Sequence, residues 1–445
     1  MINDMERRRM YQLQQQAPIP HKVVCIREKH NRPPFYGKEF HGMISREQTD
    51  IYLNDREGAY LVRESQRAPG TFTLCMRFGG VTKNFKLYYD GQHFVGEKRF
   101  YSIHDLVADG LIALYLEMKA GDYIAMMCNE SNYELSPYMT LNSRRRKRNR
   151  PDPASPDFYE RPPGDVVTKT EEILAAAFER NSINVQNYEK THVFKVHNFK
   201  GLHWCDFCGN FMWGLIAQGV KCEDCGFGAH KKCSENVPND CCPDLKHVTR
   251  VYGTDLTTLV KAHNTVRPFV VDMCIKQIEH RGLGAEGLYR VSGFNDDIEA
   301  LRLTIDKDGE DSDISRDAYE DINVIAGVLK LYFRLLPIPL ITFDAYPLFL
   351  AAIRKPSQEE KLPFLKEAIM TLPPAHYQTL KYLMAHLYRV AERSKENLMP
   401  THNLSTVFCP TLMRSPDLGT PDLSVWKYES AAIEMLITHQ KILFD

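Results

Sequence analysis

The 445-residue sequence has no long uninterrupted hydrophobic run. Its most apolar stretch, Ile322 to Ile353, is broken by Lys330, Arg334, Asp344 and three prolines, which excludes a membrane span of ~20 apolar residues there. The opening residues Met1 to Arg7 are polar and offer neither the apolar run of a signal peptide nor a myristoylation glycine, so the expected location is cytoplasmic. Charge of one sign is missing too. Basic residues number 56 and acidic ones 57, and a net charge of −1 provides no whole-chain field to gather nucleic acid. The G-x-x-x-x-G-K-[ST] loop, H-R-D and D-F-G are all absent, so the chain is not expected to bind or turn over a nucleotide alone. There is no internal repeat.

What is present points to several folded units. At ~150 residues per domain the length suggests about three. The 43% of hydrophobic and 25% of charged residues are the balance of chains that bury cores. Residues 1–35 form a polar N-terminal segment, read as a short helix and an extended connector through Pro18, Pro20, Pro33 and Pro34. Within 36–136, strand-like runs at Ala59–Glu64, Thr71–Phe78 and Asn84–Tyr89 lie between two helical patterns, an α+β arrangement. Residues 137–190 read as a linker: a basic run at Arg144–Arg150, expected to be a solvated hinge, is followed by five prolines and by helical spacing over Thr170–Arg180. From Leu256 onward the pattern is helical almost throughout.

Seven of the 12 cysteines fall between Cys205 and Cys242, and in a reducing compartment such clustering means metal before disulfide. The spacing runs His192-x12-Cys205-x2-Cys208-x13-Cys222-x2-Cys225-x4-His230-x2-Cys233-x7-Cys241. Eight thiolate and imidazole donors fit two closed four-coordinate zinc sites, with no open position for a catalytic water, which excludes a zinc hydrolase. Between the cysteines, Trp213-Gly214-Leu215-Ile216 is apolar, and Lys195, Lys200, Lys221, Lys231 and Lys232 surround it in sequence. An apolar tip with basic flanks suits an anionic leaflet. Residues 191–242 resemble the phorbol-ester/diacylglycerol-type zinc finger. The resemblance implies a small zinc-stabilised β-rich fold, with His192, Cys222, Cys225 and Cys241 on one zinc and Cys205, Cys208, His230 and Cys233 on the other. It further implies a lipid site at Leu202, Trp213, Gly214, Leu215, Ile216 and Gln218, where Leu202 stands in place of the usual proline.

In Tyr60-Leu61-Val62-Arg63-Glu64-Ser65 the period of two puts Leu61, Arg63 and Ser65 on one face of a strand. A guanidinium held there is a rigid fork matched to phosphate. This strand, with Phe40-His41-Gly42 and Ser45-Arg46-Glu47, is similar to the SH2 domain. The resemblance implies phosphotyrosine binding by Arg63, Ser65, Arg46 and Lys86; Glu39 and Asn84 replace a common tryptophan and histidine.

Gly282-Leu283-Gly284-Ala285-Glu286-Gly287 spells G-x-G-x-x-G, but a helical stripe precedes it where a dinucleotide site needs a strand. Gly287-Leu288-Tyr289-Arg290-Val291-Ser292-Gly293 places one arginine on a glycine-flanked loop, and Asn323, Gly327, Lys330 and Arg334 share a helical face expected to receive a partner. With Leu336-Pro337-Ile338-Pro339 and Asn403-Leu404-Ser405 further on, residues 255–445 resemble the all-α GTPase-activating domain for Rho-family GTPases. By that resemblance Arg290 is an arginine finger, Lys330 and Arg334 support its loop and bind the GTPase, and Asn403 contacts a switch region; Cys409 replaces a usual glycine.

The order of the three units is similar to that of the long, SH2-containing chimaerins. It implies a monomeric activator of Rac, autoinhibited in the cytosol with its finger tip covered, and recruited by diacylglycerol (or a phorbol ester) and anionic lipids to membranes. The alternative is a non-catalytic adaptor joining phosphotyrosine proteins to such membranes.

Overall fold

A computed structural model of the chain describes residues 4–27, 29–129, 133, 136, 138–139, 185–416 and 423–444. The basic run at 144–150 and the helix expected over 170–180 lie outside the described residues. The chain divides into two compact units, Met1–Arg145 with Val193–Val237, and Arg146–His192 with Pro238–Asp445.

The first unit opens with helix α1 (Asp4–Gln15) and strands β1 (His21–Lys22) and β2 (Phe40–Met43). Helix α2 (Arg46–Leu53) follows, started by a capping box in which the Ser45 and Gln48 side chains each take the other's backbone N–H. Strands β3 (Ala59–Glu64), β4 (Phe72–Phe78) and β5 (Val81–Tyr89) form an antiparallel meander; β1 and β2 both pair with β3 in parallel, and β6 (His93–Phe94) extends β5. Strand β5 begins three residues before the sequence pattern suggested. Gly79 and Gly80, at φ 61° and 72°, make the two-residue hairpin that lets β5 start at once, whereas exposed Val81 and Lys83 hide its alternation. Helix α3 (Ile103–Asn129) covers one sheet face, where Tyr60, Val62, Leu74, Met76, Val107 and Leu111 form the core.

In the finger, β7 (Phe194–His197), β8 (Gly219–Cys222) and β9 (Gly228–Ala229) make a short antiparallel sheet before helix α4 (Lys231–Ser234). The finger buries Phe207, Phe211, Met212, Val220 and Phe227 besides its cysteines, but a unit of about 50 residues is too small to be held by burial alone, and metal ligation adds folding free energy.

The second unit continues with α5 (Leu256–His263), α6 (Phe269–Arg281), α7 (Asn295–Asp308), α8 (Ile322–Leu335), α9 (Tyr346–Ile353), α10 (Gln358–Met370), α11 (Pro374–Glu392), α12 (Ser394–Asn397), α13 (Thr401–Leu412), α14 (Leu423–Thr438) and α15 (Gln440–Leu443). Their apolar stripes meet in one core that includes Ile278, Ile325, Leu329, Phe333, Leu387 and Phe408. Gly282 ends α6, so the G-x-G-x-x-G run follows a helix and lacks the strand a dinucleotide site requires. No helix among the described residues is long and apolar enough to cross a membrane. The fold class is as expected: an α+β unit, a small β-rich finger and an all-α domain.

Candidate functional site

Arg290 stands exposed on the turn between α6 and α7, and its guanidinium has no hydrogen-bond or ion-pair partner among the described residues. The turn is made by Gly287, at φ 69°, whose carbonyl accepts the N–H groups of both Arg290 and Val291 at 2.8 Å. Tyr289 is also left-handed, at φ 71°, and is fully buried. The Lys330 ammonium donates to the Tyr289 carbonyl, the peptide unit that joins Tyr289 to Arg290. Burial, and then the neighbouring charge of Arg334, lowers the Lys330 pKa. Arg334 is exposed one turn further along α8, and half-buried Asn403 on α13 donates to the Leu398 carbonyl at 3.3 Å.

The helical face containing these residues is not open along its whole length. A Cβ at Gly327 would lie 2.5 Å from Ile298 Cδ1, so this glycine lets α7 pack closely on α8. Gly293 has a similar use, since a Cβ there would come 2.6 Å from the Val324 backbone nitrogen.

In the finger, ligand atoms of His192, Cys222, Cys225 and Cys241 lie within 4.8 Å of one another, and those of Cys205, Cys208, His230 and Cys233 form a second such group. The geometry suits a thiophilic cation. His230 Nε2 lies 3.0 Å from the Phe211 carbonyl, which fixes the proton on that nitrogen and leaves Nδ1 to face the Cys208 and Cys233 sulfurs at 3.6 and 3.7 Å. Hydrogen bonds among the sulfurs lower the Cys208 pKa and raise that of Cys233.

The tip of the finger is engaged by its own unit. The Gly214 N–H donates to Gln14 Oε1 at 3.0 Å and the Leu215 N–H to Asp109 Oδ1 at 2.9 Å. Asp109, 6% exposed, also receives Lys98 at 2.9 Å, and Lys231 pairs with Glu97. Trp213 packs beside Met10, Leu116 and Phe211, and Ile216 joins the core under α3, while Leu202 and Leu215 remain exposed. Gln218 ties the two loops of the tip together: its Oε1 accepts from the Phe199 N–H at 3.1 Å and its Nε2 donates to the Leu215 carbonyl at 3.2 Å.

Across β3, β4 and β5 the register aligns Arg63, Thr73 and Lys86 in one row, so the two cations share a face. Arg63 is 8% exposed; its guanidinium engages the Cys75 thiol, and its Nε has no partner among the described residues. Burial raises the Cys75 pKa against the pull of Arg63 and Arg46, so both arginines lie near one thiol. Arg46 lines an adjacent cleft of about 250 Å³ with Asp50, Thr82 and Asn84. Ser65 begins the loop beyond β3, where its hydroxyl accepts from the Ala68 N–H at 3.3 Å.

Three stretches match known domain families: residues 40–109 the SH2 domain, 192–244 the phorbol esters/diacylglycerol binding domain (C1 domain), and 268–417 the RhoGAP domain. N-chimaerin of Mus musculus is 56% identical over 440 residues, covering 98% of this chain and 96% of its own. The chain belongs to the chimaerin family. N-chimaerin of Homo sapiens is similar to the same extent, and Beta-chimaerin of Rattus norvegicus is 56% identical over 273 residues, covering 61% of this chain and 92% of its own. Among solved structures, human Rho GTPase activating protein 15 is 30% identical with a TM-score of 0.42, covering 46% of this chain and 99% of that one. This member of the chimaerin family is a diacylglycerol-regulated Rho-family GTPase activator with a zinc-binding finger and an SH2 domain.

Several residues at these sites of the chimaerin-family chain carry no local sequence signal. Gln14 and Asp109 reach the tip from far along the chain. Buried Asn397 accepts the Gly287 N–H on its carbonyl at 2.7 Å, and its amide bonds the Leu283 and Val390 carbonyls at 2.8 and 2.9 Å, which anchors the start of the arginine loop. Asparagine at a helix end reads as an ordinary cap, and only the fold brings it to this loop.

Proposed function

We propose that the chain accelerates GTP hydrolysis on Rac by inserting Arg290 beside the γ-phosphate. A small GTPase already holds nucleotide, Mg²⁺ and water, and lacks positive charge where the transition state gathers negative charge. Arg290 supplies it in trans, Lys330 holds the loop through the Tyr289 carbonyl, and Arg334 and Asn403 bind the GTPase. The observation that carries this reading is the contrast on one turn: Tyr289 buried and bonded, Arg290 exposed with its guanidinium unpartnered among the described residues. Single-turnover phosphate release from Rac and Rho preloaded with GTP tests it: faster stimulation of Rac is expected, and equal or greater stimulation of Rho rejects the preference.

The resting form is autoinhibited in this reading, because Gln14 and Asp109 occupy the backbone donors of the tip that a diacylglycerol would use. Lipid competes for those donors at an anionic membrane, and Trp213, Leu215 and Ile216 then enter the leaflet. Two structural zinc ions, one per donor group, hold the finger. Arg63 with Arg46, Ser65 and Lys86 recruits a phosphotyrosine protein, and the chain acts as a monomer.

A further inference from the structure

Behind the arginine loop lies a line of polar groups, buried at Tyr289 and His386 and partly exposed at Glu279 and Arg389, that the proposed reaction does not touch. The Tyr289 hydroxyl is 2.6 Å from His386 Nε2, and His386 Nδ1 is 2.8 Å from Glu279 Oε1. Arg389 in turn donates to the same Glu279 oxygen through Nε at 2.8 Å and Nη2 at 2.5 Å. A carboxylate only accepts, so Nδ1 bears the imidazole proton and Nε2 is left to accept from the tyrosine O–H. The Tyr289 hydroxyl and the His386 N–H therefore each have an acceptor. Tyr289 and His386 are both fully buried, and the Tyr289 ring also meets Phe408 edge-on at 4.8 Å.

We propose that Tyr289, His386 and Glu279 form a positioning relay that fixes the reach of Arg290, setting the turnover of the finger without contacting GTPase or nucleotide. The inference rests on Arg290 being the finger. A bulky residue at φ 71° is disfavoured and persists only where its surroundings over-determine it. Glycine would hold that turn with less strain, so the tyrosine is there for its side chain. Tyr289 and Arg290 share one peptide unit, clamped on its carbonyl by Lys330 and, through the Tyr289 side chain, by His386. Loosening the second clamp lets that unit rotate, and the long arginine side chain turns a small rotation into a displacement of about 1 Å at the guanidinium, enough to impair a positioned catalyst.

The test uses the full chain on diacylglycerol-containing vesicles and a GTP-loaded Rho-family GTPase, with Tyr289→Phe and His386→Gln made singly and in an Arg290→Ala background. Each single change is expected to lower kcat about three- to tenfold, the effect of one hydrogen bond, with KM within about twofold. Neither should lower activity further once Arg290 is gone. Unchanged kcat, a rise in KM alone, or an equal loss in the Arg290→Ala background would overturn the relay; the last would mark general loosening of the fold. Should Arg290→Ala alone leave kcat intact, the finger itself fails, and that outcome is distinct from one in which Arg290 matters and Tyr289 does not.

Discussion

Releasing the finger tip is the perturbation whose size follows most directly from the structure. Asp109 on α3 accepts the Leu215 N–H at 2.9 Å while 6% exposed, and Gln14 on α1 accepts the Gly214 N–H at 3.0 Å. A hydrogen bond to a charged acceptor contributes about 1.5–3 kcal/mol and a neutral one about 1 kcal/mol. Asp109→Ala removes the first kind within a helix that tolerates alanine well. Lys98, whose side chain is 34% exposed, then turns to water and leaves no buried unpaired charge. A loss of about 2 kcal/mol shifts the closed-to-open ratio about thirtyfold, and Gln14→Ala shifts it about fivefold. Where the open form is scarce, apparent lipid affinity rises by the same factors. Sedimentation of the full chain with phosphatidylserine vesicles of graded diacylglycerol content reads this as half-maximal binding at correspondingly less diacylglycerol. Removing an acidic group also favours any anionic surface, so vesicles without diacylglycerol serve as the control, and Gln14→Ala changes no charge at all. If both variants bind diacylglycerol vesicles as the parent does, these two bonds do not hold the tip, and the proposed closed state is wrong.

Other consequences are equally open to measurement. Chelation should unfold the finger and expose thiols to alkylation, with atomic emission finding two zinc ions per chain beforehand; one ion would contradict the paired donor groups. Arg63→Ala should weaken binding of a phosphotyrosine peptide by at least about a hundredfold in calorimetry, the lower value of two charge-assisted hydrogen bonds, and near-parental affinity would remove the phosphate role. Burial holds both His376 and His386 below the ordinary histidine value of 6.5, so they fold neutral. The unfolded chain takes up protons at these positions as pH falls below about 6.5, and stability drops with it. The thermal midpoint by circular dichroism should fall between pH 7 and pH 5, and a flat profile counts against the buried neutral pair. Gly293→Ala, which meets the Val324 backbone at 2.6 Å, should slow GTPase stimulation more than Gly327→Ala, whose contact is the movable end of Ile298. Equal effects would mean that the loop does not depend on this close approach.

The zinc donors were legible because metal ligation demands fixed residue types at fixed spacings, and His192 to Cys241 display all eight in order. The arginine loop was legible through its glycines, and the helices around it through their apolar stripes, as at Val271, Cys274, Ile275 and Ile278. The parts that were not legible depend on close approach between distant segments. The close approach of Gly327 to Ile298 joins two helices and leaves no local pattern. The line through Tyr289, His386 and Glu279 was not legible, because contacts spanning 97 and 107 residues leave no local periodicity. Likewise the glutamine-rich start of the chain gave no hint that Gln14 reaches Gly214.

The most direct measurement is a crystal structure of the chain bound to a Rho-family GTPase carrying GDP and aluminium fluoride. The Arg290 guanidinium is expected within hydrogen-bonding distance, about 3 Å, of the fluoride that mimics the transferring phosphoryl group. A complex in which that side chain points to solvent, with the GTPase seated elsewhere on the helical unit, would contradict the proposed mechanism.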